Sequence, residues 1–211
     1  MIKVKCDGDV HEFSSETTVG KVIKKVYGKK SGAIAALVDD EEKDLSHLLL
    51  NDCKIELIDA SSNEGSYIIR HSCAHLLAQA VTELFPDAKP TIGPPIDEGF
   101  YYDFYMDPID ENDLRRIEKL MKKIIKQNIP IQREEHDNET LREMFSDNPF
   151  KIEIMDEKIG EEVGSSAYRQ GKFVDLCRGP HVESTGKLKW FKLTNTSQAF
   201  WRADSSKETL V

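Results

Sequence analysis

The stretch SYIIRHSCAHLLAQAVTELFP, Ser66–Pro86, decides how this chain is read. Leu76, Leu77, Val81 and Leu84 recur at helical spacing, and Pro86 closes the run, so residues 66–85 are predicted to form one helix. Inside it lies His71-Ser72-Cys73-Ala74-His75. A separation of four places both imidazoles on one face, one turn apart. Taken alone, such a pair is more often an accident of helix composition than a site. The zinc-peptidase signature is disfavoured, because it needs Glu directly after the first histidine and this chain has Ser72.

Upstream of the helix the pattern is different. Ile2, Val4 and Cys6 alternate with polar residues, and Asp7-Gly8 supplies a tight turn before Val10 and Phe13. Thr18 is placed to cap a helix carrying Val19, Val22, Ile23 and Val26, with Gly28 at its end. Two apolar runs, 33–38 and 54–58, read as strands. The order ββαββ within residues 1–60 suits a β-grasp fold, and nothing in this unit groups catalytic residue types. Residues 61–65 read as a linker.

Downstream, residues 66–211 read as a larger α+β unit with a mostly antiparallel sheet. Residues 91–105, rich in glycine, proline and aromatics, suit turns and strands. A second helix is predicted over 111–128 on the stripe Leu114, Ile117, Met121, Ile124 and Ile125. Strands are predicted over 149–156, 166–177 and 188–202. The 111–128 helix concentrates positive charge, with Arg115, Arg116, Lys119, Lys122 and Lys123 prominent. That is an ordinary solvated face or a contact for phosphates.

The second half of the candidate site is Asp175-Leu176-Cys177-Arg178-Gly179-Pro180-His181. Cys177 and His181 are also four apart, but Gly179-Pro180 forbids a helix between them, so they project from a strand end and a turn. Three imidazoles and a thiolate make a sensible tetrahedral set for a zinc-type ion. Asp175 shares a strand face with Cys177. Lys151, after Pro149-Phe150, could supply a cation. Tyr168 and the 93–103 segment could supply walls and backbone donors.

Composition sets outer bounds. The chain has 211 residues, four cysteines, no CxxC pair and a net charge of −9. The spacing suggests no disulfide framework, so a reduced, cytoplasmic protein is expected. No apolar run nears the roughly 18–20 residues of a membrane span, and no secretory signal opens the chain. The negative total argues against a protein that coats nucleic acid, but leaves room for a local basic patch.

The phrases RHSCAHLLAQAV, IGPPIDEGFYYDF, FVDLCRGPHVESTG and AFWRADS together resemble the N-terminal half of bacterial threonyl-tRNA synthetases, and residues 1–60 resemble that family's TGS domain. The paired H-x3-H and C-x3-H is also similar to alanyl-type editing domains. The resemblance implies an editing region that hydrolyses serine wrongly esterified to threonine tRNA, with the ligase domain absent from this chain. One missing methyl discriminates serine from threonine by only ~10–200-fold in a synthetic site, so a second site is needed. By the same resemblance, His71, His75, Lys151, Cys177 and His181 carry catalysis, and Asp175, Tyr168 and Gly93 bind substrate. His71 would orient water, Lys151 would stabilise developing charge, and a covalent route through Cys177 ranks low. Arg115, Lys119, Lys122 and Lys123 would contact tRNA.

Editing would require no cofactor, although the four-residue set could hold zinc. The parent enzyme would use ATP, Mg and a zinc ion in its catalytic domain, and would dimerise through domains absent here. The partner is tRNA(Thr), through its aminoacylated 3′ end, and no membrane is expected. Two other readings stay open: a non-catalytic RNA-docking module with a structural zinc site, and a free-standing trans-editing deacylase.

Overall fold

The computed structural model describes residues 1–157 and 165–211. Strand β1 (Ile2–Cys6) buries Ile2, Val4 and Cys6 and turns into β2 (Asp9–Phe13). The two-residue turn, Asp7 and Gly8, has positive φ at both positions (50° and 95°), as this tight hairpin demands. Helix α1 (Val19–Val26) starts where the Thr18 side chain accepts the Lys21 N–H, and it buries Val19, Val22 and Ile23. Strands β3 (Ala33–Val38), β4 (Glu41–Asp44) and β5 (Cys53–Asp59) complete a five-stranded sheet in the order β2-β1-β5-β3-β4. Only β1 and β5 run parallel.

The two faces of this sheet have different partners. Val4, Ile55 and Ala36 pack with α1. Ile34, Ala35 and Ile58 join the core around helix α2 (Asn63–Leu84). That helix begins three residues before the predicted start, because the Ser62 side chain caps it by accepting the Gly65 N–H. Residues 63–65, expected as linker, are its first turn. Gly65 is obligatory there, since a Cβ would overlap the Asp59 carbonyl.

Helix α3 (Glu111–Gln127) opens with a capping box between Asp110 and Asp113 and closes on Asn128 in the left-handed conformation. Its buried Ile117, Met121 and Ile124 share the α2 core. Strand β6 (Ile131–His136), helices α4 (Asn138–Met144) and α5 (Pro149–Glu157), and the hairpin β7 (Ser165–Gln170) and β8 (Phe173–Leu176) follow. The strands pair antiparallel in the order β6-β7-β8. The architecture is α+β with mostly antiparallel sheets. Among the described residues no helix is long and apolar enough to cross a membrane.

Two predicted strands are corrected. Residues 149–156 form α5. Phe150, Ile152 and Ile154 alternate like a strand, but Pro149 suits a first helical position, and the Asn148 side chain accepts the Phe150 and Lys151 N–H groups. Capping overrode periodicity. Of 188–202, only Ala199–Phe200 is strand, paired with Thr209–Leu210. The Leu193 N–H is taken by the Glu118 carboxylate on α3, a side-chain acceptor in place of a neighbouring strand.

Candidate active site

Helix α2 brings His71 and His75 together with their rings 5.2 Å apart and edge-on. The His181 ring lies 4.2 Å from each. Cys177 Sγ is 3.3 Å from Nε2 of both His71 and His181. One donor atom from each of the four residues falls within 4.8 Å of all the others.

The loop after β8 is shaped to do this. The Cys177 N–H donates to the Ser166 carbonyl, and the Ser166 hydroxyl donates to the Cys177 carbonyl at 2.6 Å. The Gly179 N–H donates to Cys177 Sγ at 3.2 Å. Gly179 has φ +74°, and any Cβ there would overlap the Tyr168 hydroxyl. Ser72, between the two helix histidines, fixes the third. Its hydroxyl donates to the Ile68 carbonyl at 2.8 Å and accepts the Val182 N–H at 3.1 Å. A hydroxyl has one proton, so at 3.0 Å it accepts from His181 Nδ1. That tautomer leaves the lone pair of His181 Nε2 facing the cysteine sulfur.

Beside this cluster is a buried charged group. Lys151 Nζ lies 2.5 Å from Asp175 Oδ1 and donates to the Tyr102 hydroxyl at 3.0 Å. Tyr102 in turn donates to Asp175 Oδ2 at 2.5 Å, and His75 Nε2 is 3.6 Å from the same oxygen. Lys151 and Asp175 are only 3% and 2% exposed, so each charge depends on the other.

Burial sets the protonation states. It lowers the His71 pKa, pushes His75 down to about 3, and holds His181 well below its ordinary value, with the neighbouring histidines adding to the last. The three imidazoles are therefore neutral at neutral pH. Burial pushes the Cys177 thiol up to about 12. It also pushes the Asp175 carboxyl up, but Lys151 and His75 outweigh it and hold Asp175 below its ordinary value. His71 alone of the three histidines is partly exposed, and a ring N–H of His71 is held by the Pro180 carbonyl.

The donor set fits a metal ion. Bonds of about 2.0 Å to nitrogen and 2.3 Å to sulfur put tetrahedral ligand atoms roughly 3.3–3.5 Å apart; the two sulfur–nitrogen contacts are already at 3.3 Å, and the wider pairs, all within 4.8 Å, would draw in around an ion. Ser72 already orients His181 from behind, as such ligands require.

The remaining predicted residues have definite places. Asp175 is in the site, but its oxygens are engaged by Lys151, Tyr102 and His75. Lys151 reaches it from a helix rather than a strand. Tyr168 stands behind His181, ring centroids 4.5 Å apart, and is almost wholly buried. Gly93 lies under Tyr102, where a Cβ would collide with the ring. On α3, Arg115 pairs with Glu111 and Lys122 with Glu118, while Lys119 and Lys123 stand exposed.

Sequence reasoning missed three residues. In the sequence Ser72 stands out only as the wrong residue for a peptidase. Tyr102 was inside the aromatic segment expected to form walls, but nothing singled it out. Asp44, from β4, accepts the His181 N–H at 2.6 Å and the Tyr168 hydroxyl at 2.5 Å. It sits in an acidic run that gives no hint of burial. An open cavity of about 930 Å³, lined by Gln79, Gln127, Asn148, Lys151, Lys172 and Phe173 among others, touches Lys151 but none of the four clustered histidine and cysteine residues.

Comparison with known proteins gives the class first. Residues 166–211, which include Cys177 and His181, match the family described as the threonyl and alanyl tRNA synthetase second additional domain. The relatives then narrow it. The chain is 45% identical over 208 residues to a threonine–tRNA ligase of Marinobacter nauticus, covering 97% of this chain and 32% of that protein. It is 45% identical over 215 residues to that of Thermotoga maritima, covering 100% and 33%. For Thermoplasma volcanium the figures are 48% over 184 residues, 87% and 26%. The chain thus matches an N-terminal region of threonine–tRNA ligases, and it spans about a third of the length of these relatives.

Proposed function

We propose that this chain is an editing module that hydrolyses the ester between serine and the 3′ end of threonine tRNA, inside a longer threonine–tRNA ligase. In this reading residues 1–60 are a β-grasp unit of TGS type and residues 66–211 the hydrolytic unit. The observation that carries it is the convergence of three neutral imidazoles and a thiol beside one buried ammonium group.

The chemistry follows from the protonation states. A neutral imidazole can take a proton from water as the oxygen attacks the ester carbonyl carbon. His71 suits this role, being the accessible one of the three. Negative charge then develops on the carbonyl oxygen, and the Lys151 ammonium offsets it. As the bond to the ribose oxygen breaks, the proton held by His71 passes to that oxygen, giving free serine and an uncharged tRNA end. Asp175 holds Lys151 and His75 in place, and Tyr102 bridges lysine and carboxylate. The 930 Å³ cavity beside Lys151 is large enough for a terminal nucleoside.

Hydrolysis in this scheme needs only protein groups. The test is deacylation of Ser-tRNA(Thr) and Thr-tRNA(Thr) by the chain, with and without a chelator. Ser-tRNA should be hydrolysed preferentially and chelator-independently, and His71→Ala should abolish the reaction. The close spacing of the four donor atoms favours one rival, an RNA-docking module with a structural zinc ion. Tight stoichiometric zinc without deacylation would establish it instead.

A further inference from the structure

Helix α3 carries Lys119, Lys122, Lys123 and Lys126, all exposed, on the side away from its buried stripe. Beside it runs the segment Lys187-Leu188-Lys189-Trp190-Phe191-Lys192, in which Lys187, Lys189 and Lys192 are exposed. The two elements are stitched together at both ends. The Thr185 hydroxyl donates to the Ile124 carbonyl at 3.0 Å. Glu118 accepts the Leu193 N–H at 3.2 Å and bridges Lys122 (2.5 Å) to Lys192 (3.2 Å). The basic side chains therefore form one continuous surface.

Within residues 118–126 and 183–193 the only carboxylates are Glu118 and Glu183, and both are already paired, Glu183 with Lys187. Seven ammonium groups face two carboxylates, in a chain whose net charge is −9. A solvated helix face would be expected to share the acidic balance of the whole. Trp190 lies within this segment, between Lys189 and Lys192 in sequence, and is 90% exposed, while Leu188 is buried. An indole held out into water among lysines has the properties of a base-stacking platform, with the cations matched to phosphates.

We infer that α3 and the 187–192 segment together bind RNA, the lysines on the phosphate backbone and the Trp190 ring stacked on an unpaired base. The choice of RNA rests on the functional reading above. A membrane surface fits less well, because lysines dominate this face and Leu188, beside Trp190, is turned inward. The surface adjoins the site as well: Gln127, the residue after Lys126, lines the cavity that reaches Lys151.

Fluorescence tests this directly, because the chain has two tryptophans and the other, Trp201, is 1% exposed. The probes are an uncharged RNA hairpin ending in a short unpaired 3′ tail, the same hairpin made blunt, heparin, and phosphatidylcholine–phosphatidylserine vesicles. The tailed hairpin should quench the exposed emission and shield it from iodide, more than the blunt one does. Trp190→Ala should weaken the tailed hairpin roughly tenfold and leave the blunt one unchanged. Lys119→Gln/Lys123→Gln/Lys189→Gln should weaken both, and reduce the slope of log affinity against log salt by roughly two to three. Lys24→Gln/Lys25→Gln on α1 should change nothing.

The inference is overturned if the triple variant binds like the parent, if heparin quenches Trp190 as strongly as the tailed RNA, or if vesicles shift its emission and RNA does not. Since the RNA is uncharged, His71→Ala should bind it normally. Binding without Ser-tRNA hydrolysis would sink the editing reading alone, and hydrolysis without this binding would sink the present inference alone.

Discussion

The Asp44 carboxylate accepts the backbone N–H of His181 at 2.6 Å, across 137 residues of sequence. Its other oxygen takes the Tyr168 hydroxyl, and the Tyr168 ring lies against the His181 imidazole. A strand of the first sheet thus sets both the backbone and the ring face of a histidine far along the chain. Asp44→Ala should strand two buried donors at a cost of about 1–3 kcal/mol each. It should also slow Ser-tRNA hydrolysis. Asp44→Asn retains one acceptor oxygen and should fall between. Urea melts and deacylation rates on the three proteins check this, and an Asp44→Ala variant as stable and active as the parent would contradict it.

Tyr102 and Gly93 should behave as one unit. Tyr102→Phe removes the donor to Asp175 Oδ2 and the acceptor for Lys151. Gly93→Ala leaves those groups intact but drives a methyl into the ring. Both should lower the hydrolytic rate, and the double variant should be little worse than the poorer single one, since the two act on the same hydroxyl. Additive losses would mean that Gly93 serves something other than Tyr102.

Much of the site was legible because its chemistry is local in sequence. The i, i+4 histidines needed only a helix, and Cys177 and His181 needed only a Gly-Pro break between them. The hairpin at Asp7-Gly8 and the stripe on α3 were legible for the same reason, as short-range turn chemistry and helical periodicity. What failed was long-range or depended on competition between signals. Phe150, Ile152 and Ile154 alternate as a strand would, and only the Asn148 cap with Pro149 makes them helical. Asp44 could not be chosen from Asp39-Asp40-Glu41-Glu42-Lys43-Asp44, because burial against Tyr168 is decided by how two units pack. The 188–202 segment fails similarly, as Glu118 captures its backbone from another element.

Acid should act on this fold earlier than carboxylate titration explains. The depressed histidines are neutral when folded and titrate near 6.5 when unfolded. Below pH 6.5 the unfolded chain therefore binds more protons, and stability falls with falling pH, by about 1.4 kcal/mol per unit for each such histidine. For His75 the loss continues down to about 3. The stability of the parent should be flat just above pH 6.5 and decline between 6.5 and 5, and His75→Asn should show a shallower decline. The hydrolytic rate should follow His71 and lose its base limb below pH 6.5. A rate midpoint at or above 6.5 would remove His71 from the base role.

Added zinc should inhibit. The four donor atoms are close enough to be gathered by one ion, and an ion there would occupy the imidazole that receives the water proton in the proposed reaction. Micromolar zinc should suppress hydrolysis and a chelator should restore it. Cys177→Ala, keeping three imidazoles, should need more zinc for the same effect. Activation by zinc would reverse the assignment of the four residues.

The Lys151–Asp175 pair gives the sharpest test of what is structural and what is catalytic. Both groups are nearly inaccessible, so removing either leaves an uncompensated buried charge. Lys151→Met or Asp175→Asn alone should destabilise by about 3–5 kcal/mol, whereas the double variant should recover a large part of that loss, because no lone charge remains. Stability and activity should then separate. If Lys151 offsets charge on the ester oxygen, the double variant regains its melting point and stays inactive. If the pair only holds the fold, activity returns with stability. A double variant that is stable and hydrolyses Ser-tRNA at the parent rate would remove Lys151 from the chemistry.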